Sequence, residues 1–204
     1  MAGHVIAVEP DSRMRAVLAA RSPGVEVLAG RGEAIPLPDA SADAVLVSSA
    51  WHWLDPDLAV REIARVLRDG GRLGVIGTGR ERTPWLRADE WFAVGDDAGR
   101  SAIGESATRE RDGRRVVLPD PALFRNIETA SFRFTRTMTV TDLVDWFTTY
   151  SRVITASDEV KAAGRARATA ALTEEFPGAT EIEVPMHSRC WRGDRASRLQ
   201  AGAS

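Results

Sequence analysis

Glu9 is the residue of this chain best placed to do chemistry. It closes the short apolar run Val5-Ile6-Ala7-Val8 and is followed by Pro10 and a helix-forming segment. A carboxylate at a strand tip offers two oxygens, which can accept charge-assisted hydrogen bonds from both hydroxyls of a ribose. Nucleotide-binding α/β domains carry such an acid at the end of their second strand. The competing role is a surface acid that caps the following helix. Met14, on the first turn of that helix, has a soft thioether that suits an adenine face or a packed core alike. The second chemical candidate is His52, in Ser49-Ala50-Trp51-His52-Trp53. Imidazole titrates near neutrality and can serve as a general base, although a packing or hydrogen-bonding role suits His52 equally. His4 stands at the chain start and His187 in the last apolar segment. For Trp53, packing beneath the following helix is the preferred reading. Asp, Glu and His do not cluster at metal-ligand spacing, so no metal site is expected.

Composition narrows the partners. A net charge of −2 provides no basic footprint, so nucleic acid is not an expected partner. No apolar run approaches the length of about 18 residues that a membrane helix needs, and the first residues lack the charged and apolar blocks of a signal peptide. The single cysteine, Cys190, cannot form an internal disulfide or a multi-cysteine metal site. A cytoplasmic location is the expectation.

These residues need elements to position them. Val5–Val8 reads as a buried parallel strand, and Asp11 or Ser12 can cap a helix to about Ala20 with Met14, Val17 and Leu18 on one face. Val25–Leu28 is a second strand, Gly30–Ala42 a loop, Ala44–Ser49 a third strand. Asp57–Leu67 is an amphipathic helix with Ile63, Val66 and Leu67 inward. Asp69-Gly70-Gly71 is a stop and turn, and Arg72–Gly77 a fourth strand, with Gly77-Thr78-Gly79 a loop exit. Beyond it, Pro84 to Val94 predicts a helix with proline in its first turn, Asp96–Asp120 an irregular excursion, and Ile127–Thr137 a half-exposed strand. Thr141–Tyr150 and Asp158–Phe176 predict helices, Glu181–Trp191 a last strand paired antiparallel, and the residues from Arg192 a frayed tail. Strands alternating with crossover helices predict an α/β fold with a doubly wound, mostly parallel sheet. The 204 residues read as a single domain: a first half over 4–79, a second over 80–191, and the tail 192–204.

Four segments in this order carry a resemblance: Glu9-Pro10, the loop Gly30-Arg31-Gly32-Glu33-Ala34-Ile35-Pro36-Leu37-Pro38-Asp39, the strand end Ser49-Ala50-Trp51-His52-Trp53, and Leu67-Arg68-Asp69-Gly70-Gly71-Arg72-Leu73. Together they resemble the class I S-adenosylmethionine-dependent methyltransferases, in the small-molecule branch with a Gly-x-Ala-Glu-x-(Ile/Leu)-Pro loop. The resemblance covers residues 4–77 well and the C-terminal half loosely. It implies S-adenosylmethionine as cofactor, bound by Glu9, Pro10, Met14, Gly32 and Glu33 on the adenosine side. Ser49, Ala50 and Trp51 would line the methionine side, and His52 would face a small-molecule methyl acceptor as a possible base. Arg31 departs from the family pattern, which has an acid there to accept from the adenine amino group; a guanidinium has no acceptor. By analogy, the helix bearing Trp146, Phe147 and Tyr150 roofs a substrate pocket, where the plain reading of that spacing is core.

The family's first strand and its glycine-rich loop do not precede Glu9, so the fold is expected to be N-terminally incomplete. Either Val5–Val8 pairs directly with Ala44–Ser49, or a gap with unpaired backbone groups separates them. A full unit would need about 40 to 60 residues ahead of Met1. The expected function is methyl transfer impaired in this chain. The alternatives are a non-catalytic remnant that dimerises through an exposed sheet edge, and a Rossmann-type oxidoreductase using NAD. Against the oxidoreductase stand the Trp51-His52-Trp53 and Gly-Glu-Ala-Ile-Pro segments.

Overall fold

A computed structural model describes residues 3–92 and 120–197. In chain order the elements are β1 (Ile6–Val8), α1 (Ser12–Arg21), β2 (Glu26–Leu28), β3 (Ala42–Ser48), α2 (Pro56–Val66), β4 (Leu67–Arg80), α3 (Ala88–Phe92), β5 (Phe124–Thr139), α4 (Val140–Thr148), α5 (Ser151–Ile154), α6 (Asp158–Glu175) and β6 (Glu181–Arg195). A single 3-10 turn, Trp51–Trp53, joins β3 to α2.

The strands form two sheets. β1 pairs parallel with β2, with Ala7 opposite Val27. The other sheet runs β3-β4-β6-β5, with β3 and β4 parallel and Val47 opposite Val75. Along β6 the partners run backwards: Arg72 bonds to Asp194 and Thr78 to Ser188. Likewise Asn126 bonds to Asp194 and Glu128 to Arg192. The last strand is therefore antiparallel to both its neighbours, as the sequence predicts. This is an α/β fold with parallel strands in its first half. Among the described residues β1 pairs only with β2, and β3 only with β4, so the gap is realised rather than a direct β1–β3 pairing.

The residues divide into two compact units. The first comprises the chain up to Gly77 and the described residues 120–130 and 189–197; the second holds Thr78 onward and 131–188. In the first unit, α2 begins at the Asp55 cap, whose side chain accepts from the Asp57 and Leu58 N–H groups, with Pro56 in its first turn. Its apolar stripe buries Val60, Ile63 and Ala64 against Leu67, Leu73, Val75, Phe124 and Trp191. The second unit packs α4 and α6 around Leu143, Phe147 and Leu172, against Ile182, Val184 and Met186 of β6. Gly164 of α6 is pressed against the Phe92 ring, leaving no room for a β-carbon.

Six local expectations are corrected. β1 is half-buried rather than buried, because one of its edges has no neighbour. On α1, capped by Asp11, no residue is buried; Met14 is 57% and Val17 54% exposed, since no described element covers that face. Asp69-Gly70-Gly71 does not separate α2 from a strand: β4 starts at Leu67, and the triplet lies in a register shift between the pairs Ala42–Leu67 and Ala44–Arg72, where Gly70 takes a φ of 72°. β4 then runs on through Gly77-Thr78-Gly79 to Arg80. The helix predicted from Pro84 starts at Ala88, because Thr83–Leu86 forms a turn that buries Leu86 and stacks Trp85 edge-on to Phe176. The tail is not frayed at Arg192: β6 continues to Arg195, whose guanidinium donates to the Ala64 carbonyl. Most of the excursion expected over 96–120 lies outside the described residues.

Candidate active site

The candidate residues lie at and after the carboxyl ends of β1 and β3, both in the first unit. Glu9 follows β1, and its N–H donates to the Leu28 carbonyl at 3.1 Å. One carboxylate oxygen, Oε1, accepts from the Asp11 N–H at 2.9 Å, so Glu9 does take part in starting α1. Its other oxygen has no hydrogen bond among the described residues. The Glu9-Pro10 turn is clamped by Arg15, whose Nη1 donates to the Glu9 and Pro10 carbonyls at 2.9 and 2.6 Å. Arg15 went unnoticed in the sequence, because an arginine on a polar helix surface carries no signal of its target. Met14 is exposed on the first turn of α1, which removes the core reading for it.

The loop from Gly30 ties the two strand ends together. A β-carbon on Gly30 would meet Val8 Cγ1 at 2.9 Å and Pro36 Cδ at 2.7 Å, so the loop backbone lies directly on the end of β1. A β-carbon on Gly32 would meet Leu54 at 2.7 Å, which sets the loop equally close to the segment after β3. Glu33 Oε1 accepts from the Asp55 N–H at 2.9 Å, and its other oxygen lies 3.6 Å from Arg31 Nε. Glu33 thus fixes the start of α2, and Arg31, in place of an acid, becomes its ion partner. From below, α2 holds the loop through a pair that sequence reading also missed. Glu62 accepts from the Ile35 N–H at 2.7 Å, and Arg65 donates to the Ile35 and Leu37 carbonyls at 3.0 and 2.9 Å. The Arg65 guanidinium holds the Glu62 carboxyl below the usual glutamate range. An i,i+3 acid–base pair on a helix is visible in sequence; that it grips a loop about 30 residues away is not.

At the end of β3, Ser49 has a φ of 52°, a left-handed conformation that a non-glycine residue adopts only under constraint. Its N–H donates to the Ile76 carbonyl at 2.8 Å, so the chain turns sharply but firmly off the sheet. Ala50 then precedes the 3-10 turn. Trp51, like Ile35, packs against the first unit's core. Trp53 reverses its expectation: it is 54% exposed, with its ring 4.9 Å from that of His52. Partial burial holds His52 below the ordinary imidazole value, so at neutral pH it is uncharged and able to accept a proton. No group of three potential metal ligands occurs among the described residues, and no described helix is long and apolar enough to cross a membrane. In the second unit, Phe147 is core, with Trp146 and Tyr150 packed around it and the Arg80 guanidinium 5.8 Å from its ring centre.

Residues 1–75 match the family described as a methyltransferase domain. An uncharacterized methyltransferase of Mycobacterium tuberculosis is 37% identical over 195 residues, which cover 94% of this chain and 74% of that protein. The chain belongs to the methyltransferase family. A second M. tuberculosis protein, named for S-adenosylmethionine-dependent methyl transfer, is 38% identical over 113 residues, covering 48% of this chain and 41% of the relative. A solved structure assigned as a type II methyltransferase from Anaeromyxobacter dehalogenans superposes with a TM-score of 0.61 at 24% identity, covering 94% of this chain and 80% of that one. It shares the Rossmann-like fold. The methyltransferase uses S-adenosylmethionine, the donor of its family.

Proposed function

We propose that this methyltransferase acts on a small-molecule acceptor in the cytoplasm, with the cofactor seated across the ends of β1 and β3. The uncommitted oxygen of Glu9 accepts from the ribose. Pro10 and the exposed Met14 flank the adenosine, Gly32 offers its backbone N–H to the base, and Glu33 holds the loop in place. Ser49, Ala50 and Trp51 border the methionine end, and neutral His52 takes the proton released by the acceptor. The cofactor supplies a sulfonium-activated methyl group, so the chain's own task is mainly alignment and exclusion of water. The observation that carries this reading is the loop from Gly30 to Asp39, which packs on Val8 at one end and on Leu54 and Asp55 at the other.

The fit is better for the adenosine than for the methionine. On the adenosine side the structure offers a carboxylate oxygen, a backbone N–H and a thioether. Between β1 and β3 the described residues offer two unpaired strand edges and no close-approaching backbone. The 204-residue chain by itself therefore binds cofactor weakly. Calorimetry with S-adenosylhomocysteine is expected to give no micromolar binding, and a micromolar dissociation constant would refute the impairment. Saturation-transfer NMR still detects contact with the ribose protons, and Glu9→Gln weakens it about ten-fold, as loss of a charge-assisted bond implies. An undiminished signal in that variant removes Glu9 from the site.

A second reading, a non-catalytic dimer, is favoured by one observation: among the described residues β3 has an open edge, and its Leu46 is 72% exposed. Light scattering decides it, since a monomer at all concentrations rules it out.

A further inference from the structure

At the C-terminal end of α2, behind the loop that Arg65 anchors, the first unit contains a cleft of about 410 Å³ lined by Asp39, Arg61, Ala64, Arg65, Asp120, Leu123 and Arg195. Three guanidinium groups face two carboxylates there. We infer that this cleft binds a small phosphate-bearing ligand, through Arg195 and Arg61.

Arg195 carries the argument. It is only 7% exposed, the single charged residue among the buried ones described. Its Nε donates to the Ala64 carbonyl at 2.9 Å and its Nη1 to the Ala196 carbonyl at 2.5 Å. Both acceptors are neutral, and no carboxylate pairs with Arg195 among the described residues. A guanidinium removed from water without a counter-ion is costly and is normally matched by one. Its Nη2 has no acceptor among the described residues, and Arg195 is part of the wall of the cleft. The two nearby acids are otherwise engaged: Asp39 accepts from Arg65 at 2.7 Å, and Asp120 accepts from the Ala122 N–H at 3.1 Å. Arg65 spends its donors on Glu62, Asp39 and the loop carbonyls, so it adds charge to the cleft but no free donor. Arg61 is exposed and has no partner among the described residues, so its whole fork is available. Two available guanidiniums beside a third charge suit an anion with several oxygens, and planar forks match phosphate geometry. The volume exceeds what a bare anion fills and lies in the range of small-ligand sites.

The test is calorimetric titration of the full chain with pyrophosphate at low ionic strength. One arm uses sodium chloride at matched ionic strength, another phosphatidic acid vesicles. Saturable one-to-one binding of pyrophosphate, weakened about ten-fold in Arg61→Gln, is expected. Arg61 is exposed and unpaired, so this variant retains the fold, and its far-UV circular dichroism is compared with the parent's. No saturable binding, an unchanged affinity in Arg61→Gln, an equal response to chloride, or binding to the vesicles alone would each overturn the inference.

Discussion

The N-terminal β1–α1–β2 segment and the helical core of the second unit solve the same problem in different ways. The second unit buries its apolar side chains: Leu143, Phe147 and Leu172 are fully enclosed, and Trp91 and Phe92 pack edge-on or tilted against Phe147. The N-terminal segment has apolar residues too, but Val5, Met14 and Val17 remain exposed, and no residue of α1 is buried. Directed polar contacts hold it instead, with Asp11 capping α1, Arg15 clamping the Glu9-Pro10 turn, and the loop from Gly30 pinned by Glu33, Glu62 and Arg65. Burial provides most of a fold's stability, whereas hydrogen bonds mainly fix geometry. One region is thus built to be stable, and the other to hold a few groups in place. The candidate cofactor residues belong to the second kind.

The contrast can be broken or sharpened experimentally. Phe147→Ala has the largest expected effect, a loss of about 3–5 kcal/mol from transfer and cavity terms, read by urea unfolding; a loss below 1 kcal/mol, well short of that estimate, would mean the second unit is not the stable one. Arg65→Ala comes next, at about 2 kcal/mol, because it releases two loop carbonyls and leaves Glu62 uncompensated. It should also raise amide exchange at Ile35 and Leu37 while leaving α6 protected, and uniform exchange would remove the pinning argument. Acid then tests the same contact. Glu62 titrates below its ordinary 4.5 when folded, because of Arg65 and the Ile35 N–H. Its contribution is therefore fully present above 4.5 and disappears as pH falls through the lower folded value. A Glu62→Gln variant should flatten stability across that window, and an unaltered acid profile would contradict it. Met14→Ala and Val17→Ala stand last, each within about 0.5 kcal/mol, since little is buried at either position. A cost above about 1.5 kcal/mol would show that something covers α1 in solution.

Legibility followed the range of the interaction. The cap at Asp11, the inward stripe of α2 and the antiparallel last strand were readable from neighbours within a few residues and simple periodicity, whereas the Asp55 cap, two residues ahead of the expected helix start, was not. The ends of β4 and β6 were not, since strand length is set by what a partner strand offers. Trp51 and Trp53 were indistinguishable as residues; the 3-10 turn selected which one went inward.

By itself the sequence determined the element order, the chemical candidates at Glu9, Ser49 and His52, and the family, because local propensity and ordered motifs are written in one dimension. Only the tertiary structure decided that one Glu9 oxygen is taken by the start of α1, that Glu62 and Arg65 anchor a distant loop, and that Arg195 is buried with no carboxylate partner among the described residues. Those outcomes depend on groups far apart in the chain meeting at hydrogen-bonding distance, and no spacing in the sequence encodes that meeting.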